Sequence, residues 1–110
     1  IAFTPHLIPT FRGMLSTIYA KSTKSIAEIY EVLDKFYKKE HFITIFKSKM
    51  INTDEVANTN RINISINSSN IKNHFVISSS IDNLLKGAAG QAIQNFNIRF
   101  GFDEKLGLVE

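Results

Sequence analysis

A histidine between two prolines is the first feature of this sequence that could do chemistry. His6 stands in the run Thr-Pro-His-Leu-Ile-Pro at residues 4–9. Proline restricts the backbone on both sides of the histidine, which suits a side chain that must be aimed in one direction. An imidazole can accept and return a proton near neutral pH, so His6 is a candidate general acid or base. An ordinary surface histidine is the alternative interpretation of the same loop.

A glycine-containing helix near the C-terminus is the second candidate. The run over residues 84–100 has helical character, yet it carries Gly87 and Gly90 in its first turns. A glycine inside a helix costs about 1 kcal/mol relative to alanine, so both positions indicate a surface that another backbone or a cofactor approaches closely. Tight packing within one domain and a helix contact between subunits remain alternatives.

Polar residues precede this helix and follow the histidine loop. The amide of Asn83 can both donate and accept a hydrogen bond, as recognition of a carboxamide requires. Asp82 is better explained as a cap for the helix N-terminus. The guanidinium of Arg12 could bind a substrate carboxylate or phosphate, but an arginine that enters a strand is at least as often a salt-bridge partner.

Composition excludes several classes of function. The 110 residues contain no cysteine, which excludes disulfides, cysteine-based zinc sites and Fe–S clusters within this chain. His6, His41 and His74 lack the spacing of a metal site, so we predict no metal. Thirteen Lys and Arg against ten Asp and Glu give a net charge of only +3, which does not indicate a nucleic-acid partner. No apolar run approaches the ~18 residues of a membrane span, so no membrane partner is expected.

The elements that would position these residues follow the order β-α-β-β-β-α. Ser25 and Glu28 form a capping-box pattern ahead of apolar residues at helical spacing. Isoleucines at 62, 64 and 66 alternate with polar residues, which predicts a strand with one buried and one wetter face. The predicted segments are strands over 14–19, 42–46, 62–67 and 71–78, and helices over 26–38 and 84–100. We therefore predict an α+β fold, with a largely antiparallel or mixed sheet and helices packed on one face.

Two motifs together resemble one enzyme family. The run Phe-Thr-Pro-His-Leu at residues 3–7 is followed by Arg-Gly at 12–13, and Asp-Asn-Leu-Leu-Lys-Gly-Ala-Ala-Gly-Gln-Ala occupies 82–92. In order and spacing these motifs resemble the C-terminal part of N-acetyl-γ-glutamyl-phosphate reductase, of the aspartate-semialdehyde dehydrogenase-like superfamily. The resemblance runs from residue 3 to about 108 and is weakest in the middle.

The resemblance implies a function for each candidate residue. In that family, which serves arginine biosynthesis in the cytoplasm, a cysteine thiolate attacks an acyl phosphate and NADPH reduces the thioester to the semialdehyde. By resemblance His6 is the acid/base partner of the cysteine, while Asn83 and Gly87 contact the NADP cofactor. The substrate would be N-acetyl-glutamyl 5-phosphate, although a lysine-pathway relative acting on a carrier-linked aminoadipyl phosphate remains open.

The family's nucleotide-binding domain and nucleophile have no counterpart here. The chain has neither a cysteine nor a G-x-G-x-x-G run, and it begins on Ile1 rather than methionine. We expect an excised C-terminal domain, inactive alone, in which residues 1–82 are part of the substrate and dimerisation domain. Residues 83–110 would pack against the absent nucleotide-binding domain of the same parent chain, and the protein would form a homo-oligomer. The alternatives are a natural short homologue and a stand-alone, non-enzymatic binding or oligomerisation module.

Overall fold

One mixed β-sheet with flanking helices forms the domain. The computed structural model describes residues 2–109, and its sheet has four strands. The strands are β1 (Met14–Lys21), β2 (Ile43–Lys47), β3 (Ile62–Ser68) and β4 (His74–Ile81), and the α-helices are α1 (Ile26–Tyr37) and α2 (Gly90–Phe100). The predicted α+β class is therefore confirmed.

The spatial order of the strands is β1-β4-β3-β2. All neighbours are antiparallel except β2 and β3, which run parallel. On one face, Ile18, Ile77 and Ile66 lie side by side across the three strands β1, β4 and β3. The sequence predicts this strand over 71–78, but β4 begins at His74, after a turn in which the His74 N–H donates to the carbonyl of Ile71 at 3.1 Å. The strand continues to Ile81 because β1 and β3 both pair with its serine-rich end.

Helix α1 forms where the capping box predicts it. The hydroxyl of Ser25 accepts the backbone N–H of Glu28 at 3.2 Å, and the Glu28 carboxylate accepts the backbone N–H of Ser25 at 2.8 Å. Two backbone donors at the helix start, the N–H groups of Ser25 and Glu28, are thereby satisfied. The helix ends at Tyr37, and its inward residues pack across β2 and β3 on the face that carries the isoleucines of β3.

The polar face of β3 is buried, which corrects the prediction of a wetter face. Asn63 and Ser65 lie beneath residues 48–61, the connection between β2 and β3. The Ser65 hydroxyl donates to the carbonyl of Lys49 at 2.6 Å, and the Asn63 amide donates to the carboxylate of Glu55 at 3.1 Å. A parallel pair requires a crossover, and this crossover covers the face that alternation alone assigned to solvent.

The edge strand β1, at the other side of the sheet, is exposed on both faces. Leu15 and Ile18 point to opposite faces of the edge strand β1, and each is about half exposed. The buried apolar residues all lie toward the β2–β3 side of the domain; they are Phe42, Ile51, Val56 and Ile66. The radius of gyration is 15.2 Å, larger than the roughly 13 Å of a compact domain of this length, and residues 2–13 contain no helix or strand.

Candidate functional site

The N-terminal arm, residues 2–13, joins the body of the domain at Arg12 and Gly13. Gly13 adopts φ +111°, in the region that only glycine enters readily. A Cβ atom at this position would lie 2.6 Å from Cβ of Thr53, so a larger residue does not fit. The Gly13 backbone N–H donates to Oδ1 of Asn83 at 2.6 Å. This bond ties the arm to the residue for which a cofactor contact was predicted.

Asp82 is the centre of the junction. Its carboxylate is fully buried, and its Oδ2 lies 3.1 Å from Nε of Arg12. The backbone N–H of Asn58 donates to Oδ2 at 2.7 Å, and the N–H groups of Leu84 and Leu85 donate to Oδ1 at 2.9 and 3.1 Å. The structural role predicted for Asp82 is confirmed in a wider form, since it holds three segments rather than one helix end. We call Arg12, Gly13, Asn58, Asp82 and Asn83 the junction.

The electrostatics of the junction keep Asp82 ionised. Burial acts first, because it raises the pKa of the carboxyl by withdrawing it from water. The backbone N–H groups of Asn58, Leu84 and Leu85 and the charge of Arg12 lower the pKa by more, so the pKa lies below its usual value. A buried carboxylate with all its acceptor positions used is a fixed anchor rather than a proton carrier.

Arg12 serves as a partner of protein groups in this structure. Its Nε pairs with Asp82, and its Nη1 donates to Oδ1 of Asn58. Asn58 itself adopts φ +63°, a conformation that asparagine tolerates better than most residues. Of the two roles considered for Arg12, the contacts in the described residues correspond to the salt-bridge partner.

Asn83 has one half of its amide committed and one half available. A backbone N–H can only donate, so the atom facing Gly13 must be the amide oxygen. The NH₂ group of Asn83 then remains as the donor, and the side chain is only partly buried. An NH₂ group in this position can donate to a carbonyl oxygen, such as that of a carboxamide.

The predicted helix over 84–100 begins differently from the prediction. Residues Leu85–Ala89 form one π-helical turn, in which Gly87 N–H donates to the carbonyl of Asp82 at 3.0 Å, and α2 follows from Gly90. The N–H groups of Leu84 and Leu85, where this turn begins, donate to the Asp82 carboxylate. A Cβ on Gly87 would lie 3.3 Å from Cδ1 of Ile81, so one side of this glycine packs within the domain while the residue stays exposed.

Gly90 is required by packing inside the domain. A Cβ at Gly90 would collide with the side-chain oxygen of the buried Asn60. Asn60 cannot move aside freely, since its Nδ2 donates to Oε1 of Gln94 at 2.9 Å. Of the explanations considered for this glycine, tight packing within one domain is the one that the structure supports.

Helix α2 turns its polar side inward and its apolar side outward. Gln94 and Asn97 are buried, and they bond to Glu104 and to the carbonyl of Leu106 in the C-terminal tail. Phe96, on the opposite side, is 54% exposed. Further exposed apolar residues on the helix and the tail are Ile93, Ile98, Phe100 and Phe102. A helix with this inverted pattern needs a second surface to cover it.

His6 lies on the arm and is exposed. Its Nδ1 lies 3.2 Å from the carbonyl oxygen of Thr4, which can only accept, so Nδ1 carries the proton in this contact. In the neutral ring Nε2 is then left as a proton acceptor. Within residues 2–109, His6 makes no hydrogen bond to Asn83 or Gly87, and it is connected to them through Arg12 and Gly13. The arm also exposes Phe3, Leu7, Ile8 and Phe11.

The sequence interpretation missed Asn58, Thr53 and Gly13 as parts of the site. The Arg-Gly pair at 12–13 was the available signal for Gly13, whereas Asn58 bonds to Arg12, and Thr53 lies beside Gly13, only because of the fold. No three His, Cys, Asp or Glu side chains in the described part of the chain are placed to hold a metal ion. The helices described between residues 2 and 109 are also too short or too polar to cross a bilayer.

Comparison with known proteins shows the family to which this chain belongs. A model of the semialdehyde dehydrogenase dimerisation domain matches residues 1–83. The chain is 49% identical over 111 aligned positions to an N-acetyl-gamma-glutamyl-phosphate reductase of Caldicellulosiruptor bescii. It is 46% and 43% identical to proteins of the same name from Methanococcus maripaludis and Clostridium novyi. Each alignment covers 98–99% of this chain but 32% of the relative, so the chain spans about a third of their length. The chain belongs to the family of semialdehyde dehydrogenase dimerisation domains.

Proposed function

We propose that this chain is the dimerisation part of an NADPH-dependent acyl-phosphate reductase acting on N-acetyl-glutamyl 5-phosphate. The observation that supports this most directly is the pair of motifs that meet at the junction, in a chain whose relatives carry that enzyme's name. The nucleophilic cysteine and the phosphate-binding turn would be supplied by the rest of the longer polypeptide. NADPH, when bound, supplies the hydride that reduces the acyl group to an aldehyde.

His6 would act as the general acid/base of this reaction. With Nδ1–H directed to Thr4, Nε2 can accept the proton of a thiol and later return a proton to the oxygen of a tetrahedral intermediate. The acyl carbon gains a bond to sulfur as the bond to phosphate breaks, which divides one difficult displacement into two easier steps.

Asn83 would hold the nicotinamide carboxamide through its NH₂ group. The bond from Gly13 keeps that group in one orientation, so its direction is settled before a ligand arrives. Gly87 follows one turn later and presents no side chain, which suits a close cofactor approach on its exposed side.

The uncovered surfaces would have two different partners. The β1–β4 half of the sheet would contact a second copy of the chain, as in the symmetric dimers usual for soluble enzymes. The outward apolar side of α2 would pack on the nucleotide-binding domain of its own polypeptide, in a protein of the cytoplasm.

A steady-state assay tests the proposal. The full-length protein should oxidise NADPH only when N-acetyl-glutamyl phosphate is present, releasing one phosphate for each NADPH consumed. The isolated 110-residue chain should give no rate above background, because it lacks the nucleophile. A preference for a carrier-linked aminoadipyl phosphate would indicate that the protein acts on the substrate of the lysine-pathway relative instead. No turnover with either substrate would leave a non-enzymatic assembly module.

A further inference from the structure

The junction joins the two segments to which the proposed function assigns chemistry. Gly13 leads back along the arm to His6, and Asn83 leads into the π turn with Gly87. His6 lies six positions before Arg12 in the sequence, so it can reach at most about 20 Å from the anchor of the arm. The contacts that hold residues 12–13 therefore limit the positions that the imidazole of His6 can reach.

Arg12 and Asp82 form an ion pair at that anchor, and each also bonds to Asn58. The Asp82 carboxylate accepts three backbone N–H groups from two separate segments and pairs with the arginine. The Arg12 guanidinium in turn spans Asp82 and the side chain of Asn58. Planar guanidinium groups held at two points resist rotation, whereas a single ammonium contact does not.

We propose that Arg12 and Asp82 are positioning residues, which fix the His6 arm relative to Asn83 so that the proton-transfer group and the cofactor-facing amide share one rigid base. This inference rests on the proposed function. On this inference, Arg12 affects the rate of the chemical step by positioning the arm, and it does not bind the acyl phosphate.

The geometry predicts which kinetic constant responds. Misplacement of a reacting group by about 1 Å can cost up to about 10²-fold in rate, while binding groups elsewhere keep their contacts. Loosening the anchor should therefore lower kcat and leave both KM values nearly unchanged. A substrate ligand would behave in the opposite way, because its loss weakens binding of the acyl phosphate.

The test uses Arg12→Lys and Arg12→Gln in the full-length protein. Arginine is altered rather than Asp82 because the carboxylate keeps its three backbone donors when the guanidinium is gone, so the fold survives. Arg61→Lys is the matched control, since it makes the same chemical change at an exposed arginine outside the junction. Circular dichroism and melting temperature establish that each variant is folded.

Two readouts separate this inference from the proposed function. In hydrogen–deuterium exchange, Arg12→Gln should increase exchange of the Gly13 amide, with Arg12→Lys intermediate and Arg61→Lys unchanged. In kinetics, kcat should fall about 10- to 100-fold for Arg12→Gln and less for Arg12→Lys, with both KM values within about twofold of the unaltered protein.

The contrary results are equally distinct. Unchanged protection of Gly13 in Arg12→Gln would overturn the inference, as would a raised KM for the acyl phosphate at normal kcat. If the unaltered protein has no reductase activity, the proposed function fails. The exchange measurement then still decides whether Arg12 anchors the arm.

Discussion

At the scale of single residues, the stability of the site depends on one buried charge, the carboxylate of Asp82. Its carboxylate satisfies N–H groups at 58, 84 and 85, each of which would otherwise be an unpaired donor. An unsatisfied buried polar group costs about 1–3 kcal/mol, so the carboxylate is difficult to replace even by its isostere.

The lowered pKa of Asp82 makes its contribution depend on pH. An unfolded aspartate titrates near 3.9, and the folded group titrates lower, so the unfolded state binds the proton first on acidification. The stabilisation is therefore complete above about pH 4 and is lost as the pH falls through the lower, folded pKa. We predict that Asp82→Asn has a lower free energy of unfolding than the unaltered chain, as measured with urea. The difference between the two should become smaller as the pH falls from 7 to 2.

Asp34→Asn, on the exposed side of α1, is the control for this measurement. It should leave the free energy of unfolding within about 0.5 kcal/mol at either pH, as surface changes usually do. A gap for Asp82→Asn that stays constant over the whole range would show that the charge of Asp82 does not carry the effect.

Asn83 allows its two proposed tasks to be separated by substitution. Asn83→Asp keeps an oxygen for the Gly13 N–H but removes the NH₂ donor, whereas Asn83→Ala removes both. In the full-length protein, NADPH affinity should fall about 3- to 10-fold in both variants, the value of one ordinary hydrogen bond. Only Asn83→Ala should also speed exchange of the Gly13 amide. NADPH affinity equal to that of the unaltered protein in Asn83→Asp would remove the cofactor role.

At the scale of elements, the two glycines of the 84–100 run serve different purposes. Gly90 faces the oxygen of Asn60, whose amide nitrogen donates to Gln94, while the atom nearest to a Cβ on Gly87 would be the terminal methyl of Ile81. Gly90→Ala in the 110-residue chain should therefore cost about 1–3 kcal/mol of unfolding free energy through overpacking.

Gly87→Ala provides the comparison for that prediction. The Ile81 methyl can shift by a few tenths of an ångström, so the free energy of unfolding should change by less than about 1 kcal/mol. In the full-length protein the same variant should weaken NADPH binding, because the added methyl occupies the proposed cofactor approach. Equal destabilisation by both alanines would contradict the packing argument for Gly90.

Local sequence patterns predicted the helices and strands, whereas the burial of their faces depends on long-range contacts. The capping box of Ser25 and Glu28 involves only four consecutive residues, so the start of α1 could be placed from the sequence. The burial of Asn63 and Ser65 depends on a crossover that alternation does not reveal.

The residues of the site also divide into those with a local sequence signal and those brought together by long-range contacts. Motif resemblance predicts the roles of His6 and Asn83, but the pairing of Arg12 with Asp82 spans 70 residues and has no local signal. The inward polar face of α2 could not be predicted either, because Gln94 and Asn97 are buried through bonds to Glu104 and Leu106 in the tail, which helical spacing does not reveal.

At the scale of the whole molecule, uncovered apolar surface is the dominant property. Contiguous apolar patches beyond a few hundred Å² are uncommon on soluble monomers, yet β1, the arm and α2 all expose large apolar side chains. We expect the isolated chain to self-associate at micromolar concentration, with β1 at the symmetric contact.

Sedimentation equilibrium of Ile18→Glu tests this arrangement. Ile18 lies in the middle of β1 and is half exposed, so a charge there should shift the full-length protein toward monomer. Met50→Glu, at an exposed methionine on the β2–β3 connection, should leave the mass unchanged. A strictly monomeric unaltered chain at the highest concentration, or an Ile18→Glu protein that stays fully associated, would contradict the proposed interface.

The turnover number of the full-length protein after His6→Asn tests the central proposal most directly. His74→Asn is the matched control, because Nδ1 of His74 also contacts a carbonyl two residues earlier, at 2.9 Å from Lys72. We predict that kcat for NADPH oxidation with N-acetyl-glutamyl phosphate falls about 10²- to 10⁴-fold in His6→Asn, with the fold intact and the control near normal. A near-normal kcat for His6→Asn would remove His6 from the mechanism and contradict the account.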